Sequence, residues 1–362
     1  MIKLIHCADL HLDSPFSGLA PEQAVLRRAE QRDLLDRLAD LANDEGASLV
    51  LLSGDLFDGR QVYRETVDAL AAALGRIRAQ VFLSPGNHDP YIPQSSPYAL
   101  PIWPENVHIF TSPVPQGVTI PALGCTVYGA AFTEERPARS PLSGFHAPQD
   151  GLVHLMTLHG DVGGVEYGPI SPADIAASGL TYLALGHVHQ ASGLQHTGET
   201  FWAYPGCPEG RGFDETGDKG VLIVTIDGGV SAEFRPLCRR RYHVLTADLT
   251  GATDALAAAQ AVLPSRAVED IVRLVLTGQF AVDPSVLQHL QQALSPQFYA
   301  FEVRDRTRMP RDLWARAEED TLTGLFLRAI KEQCALRPED ETLELAARFG
   351  LAALENGEDV SP

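Results

Sequence analysis

Basic residues are scarce in this chain. Its 362 residues carry 28 Lys and Arg against 47 Asp and Glu, a formal net charge of -19. Proteins that grip nucleic acid by charge are usually basic, because neutralising phosphates drives affinity. A polyanionic substrate would therefore need positive charge supplied locally, by bound metal ions or clustered arginines. No apolar run approaches the ~20 residues of a membrane span, so no membrane association is expected. The five cysteines, at 7, 125, 207, 238 and 334, are odd in number and scattered, with no C-x-x-C pair. That excludes a disulfide framework or zinc knuckle and suits reduced thiols in a cytoplasmic protein. The opening MIKLIHCADL has one Lys and passes straight into strand-like sequence, unlike a secretory signal. No G-x-x-x-x-G-K-[ST] loop is present, which excludes ATP binding of the P-loop type. Internal repeats and low-complexity segments are also missing.

What remains is a chain 45% hydrophobic and too long for one ordinary core, so two or more domains are expected. The first 160 residues alternate strand and helix: IKLIHCA, a long amphipathic helix from Pro21, SLVLLS, a helix from Arg64, then AQVFLS. Each strand is a near-continuous apolar run, as expected when helices cover a mostly parallel sheet. From about 105 to 235 short β runs dominate, giving an α/β two-sheet sandwich flanked by helices over residues 1–237. Residues 238–307 read as a small α/β capping domain, β-α-β-α-β. Residues 308–355 read as a helical C-terminal segment, starting with a helix from Pro310, and 356–362 as a disordered tail. In that helix Leu322, Leu325, Phe326, Ala329 and Ile330 share one face, and Leu327 lies off it, as a second stripe for a partner.

Five strand exits carry polar side chains. CADLHLD places Asp9 and His11 two apart, on one side of extended chain. LLSGDLFD places Asp55 one Gly beyond a strand; FLSPGNHDPY ends a strand with Asn87, His88 and Asp89; LMTLHGD ends one with His159; LALGHVHQ supplies His187 and His189. In open α/β sheets the carboxyl ends of strands meet at one crevice. Two Asp, an Asn amide oxygen and several His make a mixed N/O set that suits manganese first, with iron, zinc, magnesium or nickel as alternatives. The set is too large for one open catalytic ion and sufficient for two sharing a carboxylate. Such a pair activates a water for in-line attack on phosphorus and brings roughly four positive charges to the place where the chain lacks them.

The series D-x-H, G-D, G-N-H-D, H, G-H-x-H resembles the calcineurin-like metallophosphoesterases. HCADLHLDSPFSGL, LLSGDLFD, GNHDPY, LALGHVHQ and YPGCPEGRGFDETGDKG are most similar to the DNA-repair exonuclease branch, the SbcD and YhaO-like nucleases, over about residues 1–235. The resemblance implies one metal on Asp9, His11, Asp55 and His189, and another on Asp55, Asn87, His159 and His187. It implies that His88 protonates the leaving oxygen and that Asp89 orients His88. It also implies a metal-dependent DNA exonuclease working in repair beside a separate coiled-coil ATPase, docked on the helical segment, with homodimerisation a family behaviour. The rivals are a phosphatase or phosphodiesterase on small nucleotides or phospholipids, and a non-catalytic metal-stabilised scaffold. For substrate phosphates the candidates are Arg60, Arg64 and Arg211, which follow metal-site motifs, and Arg239, Arg240 and Arg241 at a domain joint. His6, His154 and His196 read as packing residues, and Asp58 as a turn or helix cap.

Overall fold

A computed structural model of the chain describes residues 1–59, 61–100, 102–264, 267–282, 284–308 and 313–356. Of the expected tail, 357–362 lie outside the described residues. Strands β1 (Ile2–Cys7), β2 (Leu49–Leu52), β3 (Gln80–Leu83) and β4 (Val107–Ile109) pair in parallel. Helices α1 (Pro21–Asp44) and α2 (Arg64–Arg76) fall between the first three of them. Then come β5 (Gln116–Ile120), β6 (Cys125–Gly129), β7 (Val153–His159), the short α3 (Pro172–Ala177), β8 (Tyr182–Gly186), β9 (Gln195–Thr197), β10 (Thr200–Ala203), β11 (Gly220–Ile226) and β12 (Val230–Pro236). Two six-stranded sheets result, ordered β12-β11-β1-β2-β3-β4 and β5-β6-β7-β8-β10-β9. Antiparallel strands flank a parallel core in each: β11 and β12 in the first, β5 and β9 in the second. This is the expected α/β sandwich.

The near-continuous apolar strands are buried on both faces because three hydrophobic layers stack. Ile5, Cys7, Val50, Leu52, Val81 and Leu83 pack on Leu34, Leu38, Leu70 and Leu74 of the helices. Their alternates Leu4, Leu49, Leu51 and Phe82 meet Val127, Leu155, Tyr182 and Ala184 of the other sheet. The far side of that sheet, including Met156, Leu158 and Leu183, is covered by Ile175 and Leu180. His6 lies in the middle layer, where its Nδ1 meets the Tyr182 hydroxyl at 2.9 Å and its Nε2 the Leu185 carbonyl at 3.1 Å. Burial holds its pKa down to about 3, so it is a neutral packing residue.

The chain divides into two compact units. The first comprises residues 1–244, 266–273 and 297–300. The elements from Tyr242 to Asp305 run β13 (Tyr242–Asp248), α4 (Ala255–Val262), β14 (Ala267–Thr277), α5 (Pro284–Leu294) and β15 (Phe298–Asp305), with the strands in one three-stranded sheet. Then follow α6 (Leu322–Leu336) and α7 (Glu341–Asn356). The helix expected from Pro310 starts later. Thr321 caps α6 by accepting the Gly324 N–H, and residues 313–321 form turns. The expected partner stripe is also reversed. Leu327 is fully buried against Ala317, Ala347 and Leu351, whereas Leu322 and Leu325 are exposed. The reason is that α7 packs on the Leu327 side of α6.

Candidate metal centre

All five polar exits leave the carboxyl ends of parallel strands: β1, β2 and β3 of one sheet, β7 and β8 of the other. The loops do not continue the strand. Asp9, His11, Asp55 and His187 have φ of 54°, 42°, 51° and 118°, a left-handed region that non-glycine residues adopt at a cost of about 1–3 kcal/mol each. Asp9 and His11 therefore face the site through a wound loop, not through the extended-chain parity expected from their spacing. Neighbouring backbone over-determines the conformation: Asp9 N–H donates to Gly54 O and His11 N–H to Asp55 O, both at 3.0 Å. Glycine is required at Gly86, where a Cβ would stand 2.2 Å from Asp55 Oδ1.

These loops bring every expected ligand together. His11 Nε2 and His189 Nε2 face each other at 3.1 Å, with Asp55 Oδ2 3.8 Å from the former. His159 Nε2 lies 2.9 Å from Asn87 Oδ1 and 3.3 Å from Asp55 Oδ2, and His187 Nδ1 is 3.3 Å from Asn87 Oδ1. Both Asp9 oxygens accept the His187 N–H at 3.1 Å. Ligand atoms of Asp9, His11 and His189, and of Asp9, Asp55 and His159, converge closely enough to hold a metal ion.

The tautomers fit a cation. His159 donates its Nδ1–H to the Ser53 carbonyl at 2.9 Å, so its Nε2 faces two acceptor oxygens, where a cation can take the place of a proton. His11 Nδ1 lies 2.9 Å from Asp58 Oδ1, an electrostatic pairing not aligned as a hydrogen bond, and His189 Nδ1 lies 2.7 Å from Glu215 Oε1. Asp58 favours an N–H on the His11 Nδ1, the His189 Nδ1 lies between Glu215 and the Arg211 Nη2 at 3.2 Å, and the two Nε2 atoms turn toward each other. Lone pairs and carboxylates converging in a buried space call for a shared positive ion.

The electrostatics agree. Burial pushes the Asp55 carboxyl up, but His159 and His11 outweigh it and leave Asp55 well below the usual range. Burial lifts Asp9, opposed by His159 and reinforced by Asp55. His159 is lowered by burial yet carried up to about 9 by Asp55 and Asp9. Burial holds His11 and His187 down to about 4.

Several expected roles change. Asp89 does not orient His88. Its buried carboxylate accepts the N–H groups of Leu56, Phe57 and Gly86 and the Tyr98 hydroxyl, so it pins the two loops together. His88 is exposed and rests its Nδ1 3.3 Å from the Asp58 carbonyl. Asp58 is no simple cap, because it touches both His11 and Arg211. Arg211 is spent on Asp58 and Glu215, not left for phosphate. Arg239 and Arg240 are engaged by Glu30 and Glu269, and Arg241 by Asp218, since the acidic chain surrounds each cation with carboxylates. Arg64 pairs with Asp68 on the exposed face of α2, and Arg60 lies outside the described residues. Glu215 was missed from sequence altogether: it sits 26 residues past His189, and no spacing rule links a loop acid to a distant imidazole. A cleft of about 560 Å³ opens over the site, lined by Asp13, Asp58, Asn87, His88, Arg136 and Tyr167 among others.

Comparison with known proteins gives the family. The model for calcineurin-like phosphoesterases matches residues 2–191. The chain is 33% identical to the metallophosphoesterase YhaO of Bacillus subtilis (strain 168) over 299 residues, 76% of this chain and 72% of that protein. It is 25% identical to the SbcD component of the SbcCD nuclease of Rhodobacter capsulatus, over 66% of this chain and 70% of that one. A match of 25% to the DNA double-strand break repair protein Mre11 of Saccharolobus solfataricus covers 62% of this chain and 60% of that protein.

Proposed function

Because the chain belongs to the calcineurin-like phosphoesterase family, whose members use divalent metals, we propose that it hydrolyses phosphodiester bonds of DNA as an exonuclease in repair. The observation that carries this reading is the convergence of imidazole Nε2 atoms and carboxylates from both sheets in one buried space. The nuclease and repair names of two relatives support the choice of DNA. Asp9, His11, Asp55 and His189 hold one cation, and Asp55, Asn87, His159 and His187 the other, with manganese the first choice for both. When bound, the pair supplies Lewis acidity at the phosphoryl oxygens and activates the attacking water.

The protein's own contribution is geometry and a proton. Asp55 is fixed as a shared anion by the His88 N–H at 2.9 Å. His88 lines the cleft with Nδ1 held at the Asp58 carbonyl, and in its imidazolium form it would pass the Nε2 proton to the departing sugar oxygen. The relative named as one component of a nuclease complex supports an ATPase partner on residues 308–355, where Leu322, Leu325 and Leu345 are exposed, and homodimerisation belongs to the same reading.

His88→Asn is the test. It should lower cleavage of linear DNA about 10²–10⁴-fold while two metal equivalents remain bound; undiminished cleavage would refute the proton-donor role. A second reading has one observation in its favour. The cleft, about 560 Å³, is a bounded pocket with room for a small phosphoester. Faster turnover of mononucleotide esters than of linear DNA would replace the nuclease reading with a small-molecule phosphodiesterase.

A further inference from the structure

Behind the His11 and His189 imidazoles stands a chain of charge that the two-cation reading does not use. Arg211 donates from Nη1 to Asp58 Oδ1 at 2.8 Å and from Nη2 to Glu215 Oε1 at 2.7 Å. Its Nε and its backbone N–H reach Glu215 Oε2 at 3.4 and 2.7 Å. Asp58 and Glu215 are the two acids that face the Nδ1 atoms of His11 and His189. Lys219, itself buried, donates from Nζ to the His189 carbonyl at 3.0 Å, holding the same residue by its backbone. One guanidinium thus sets the spacing of two carboxylates and itself lies 3.2 Å from the His189 Nδ1, so the three groups together orient the two imidazoles.

We propose that Arg211 is a positioning residue for one cation only, clamping Asp58 and Glu215 so that His11 and His189 present their Nε2 atoms at a common point. The inference rests on the two-cation reading and adds an asymmetry to it. Among the described residues the other half of the site has no such clamp: His159 Nδ1 is held by a backbone carbonyl, and His187 turns its own Nδ1 toward Asn87. The His11–His189 half alone should therefore depend on Arg211.

The experiment is a Mn²⁺ titration of the full chain, with free ion counted by its six-line electron paramagnetic resonance signal. Wild type should take up two equivalents in two separable steps. Arg211→Met should weaken one step about 10–100-fold and leave the other within a factor of about three, while Arg211→Lys restores part of the loss. Glu215→Gln, which preserves volume, should weaken the same step and guards against a Met variant that does not fold. Wild type binding fewer than two ions would sink the two-cation reading, and the clamp with it. Wild type binding two while Arg211→Met and Glu215→Gln change neither step, or both alike, would overturn the clamp alone.

Discussion

At the residue scale, the ligand set was legible because strand exits announce themselves: an apolar run, a glycine, then a carboxylate or imidazole. The partners of those ligands were not. Asp89 follows His88 directly, and the family resemblance implied that it orients that ring, but the turn sends its carboxylate into backbone N–H groups instead. Asp89→Ala would leave three buried N–H groups and the Tyr98 hydroxyl without their acceptor. It should cost roughly 3–5 kcal/mol of stability, read from the urea midpoint of metal-free protein. An unchanged midpoint would show that the turn re-satisfies itself. His159 gives a pH prediction. With its pKa raised to about 9 it carries a proton at neutral pH in the metal-free protein, and a cation must displace that proton. Affinity for Mn²⁺ should therefore rise about tenfold per pH unit between 6 and 8, with one proton released per binding event by calorimetry in paired buffers. A flat profile would place the proton elsewhere.

Elements were read well where burial is simple and less well where one element's face is chosen by another. The apolar strands beneath the two helices announced a parallel sheet. The stripe on α6 did not announce which side α7 would cover, since both sides of that helix carry leucine and only packing decides between them. Between the sheets the decisive contact is smaller still. The Ser53 hydroxyl meets His6 Nε2 at 3.2 Å, Thr157 Oγ1 at 2.9 Å and the Ala184 carbonyl at 3.2 Å, so it ties β1, β7 and β8 together at one point. Beside it, a Cβ on Gly186 would stand 1.9 Å from the Ser53 carbonyl oxygen. Gly186→Ala should thus push the sheets apart where they carry His159 and Asp55. The expected result is a loss of roughly 3 kcal/mol or more in unfolding free energy together with weaker Mn²⁺ uptake. Loss of stability with full metal affinity would separate the two roles.

For the whole molecule, the charge balance sets the terms of substrate binding. At -19, and with Arg239, Arg240 and Arg241 committed to carboxylates, the metal-free protein should repel DNA. Loading the site adds roughly four positive charges where the phosphate must sit. Fluorescence anisotropy of labelled DNA with the His88→Asn protein should show binding with Mn²⁺ and little with EDTA; equal binding in both would mean a basic surface elsewhere. Among the described residues, no helix is long and apolar enough to cross a membrane.

The His11 to His189 contact spans 178 residues of chain. During synthesis the earliest donors therefore emerge long before their imidazole partners exist, and the left-handed loops that carry them can lock only against each other until β7 and β8 dock. A nascent chain cut short before residue 153, ahead of β7 and β8, should hold no cation, which makes ion capture a report that the sandwich has closed.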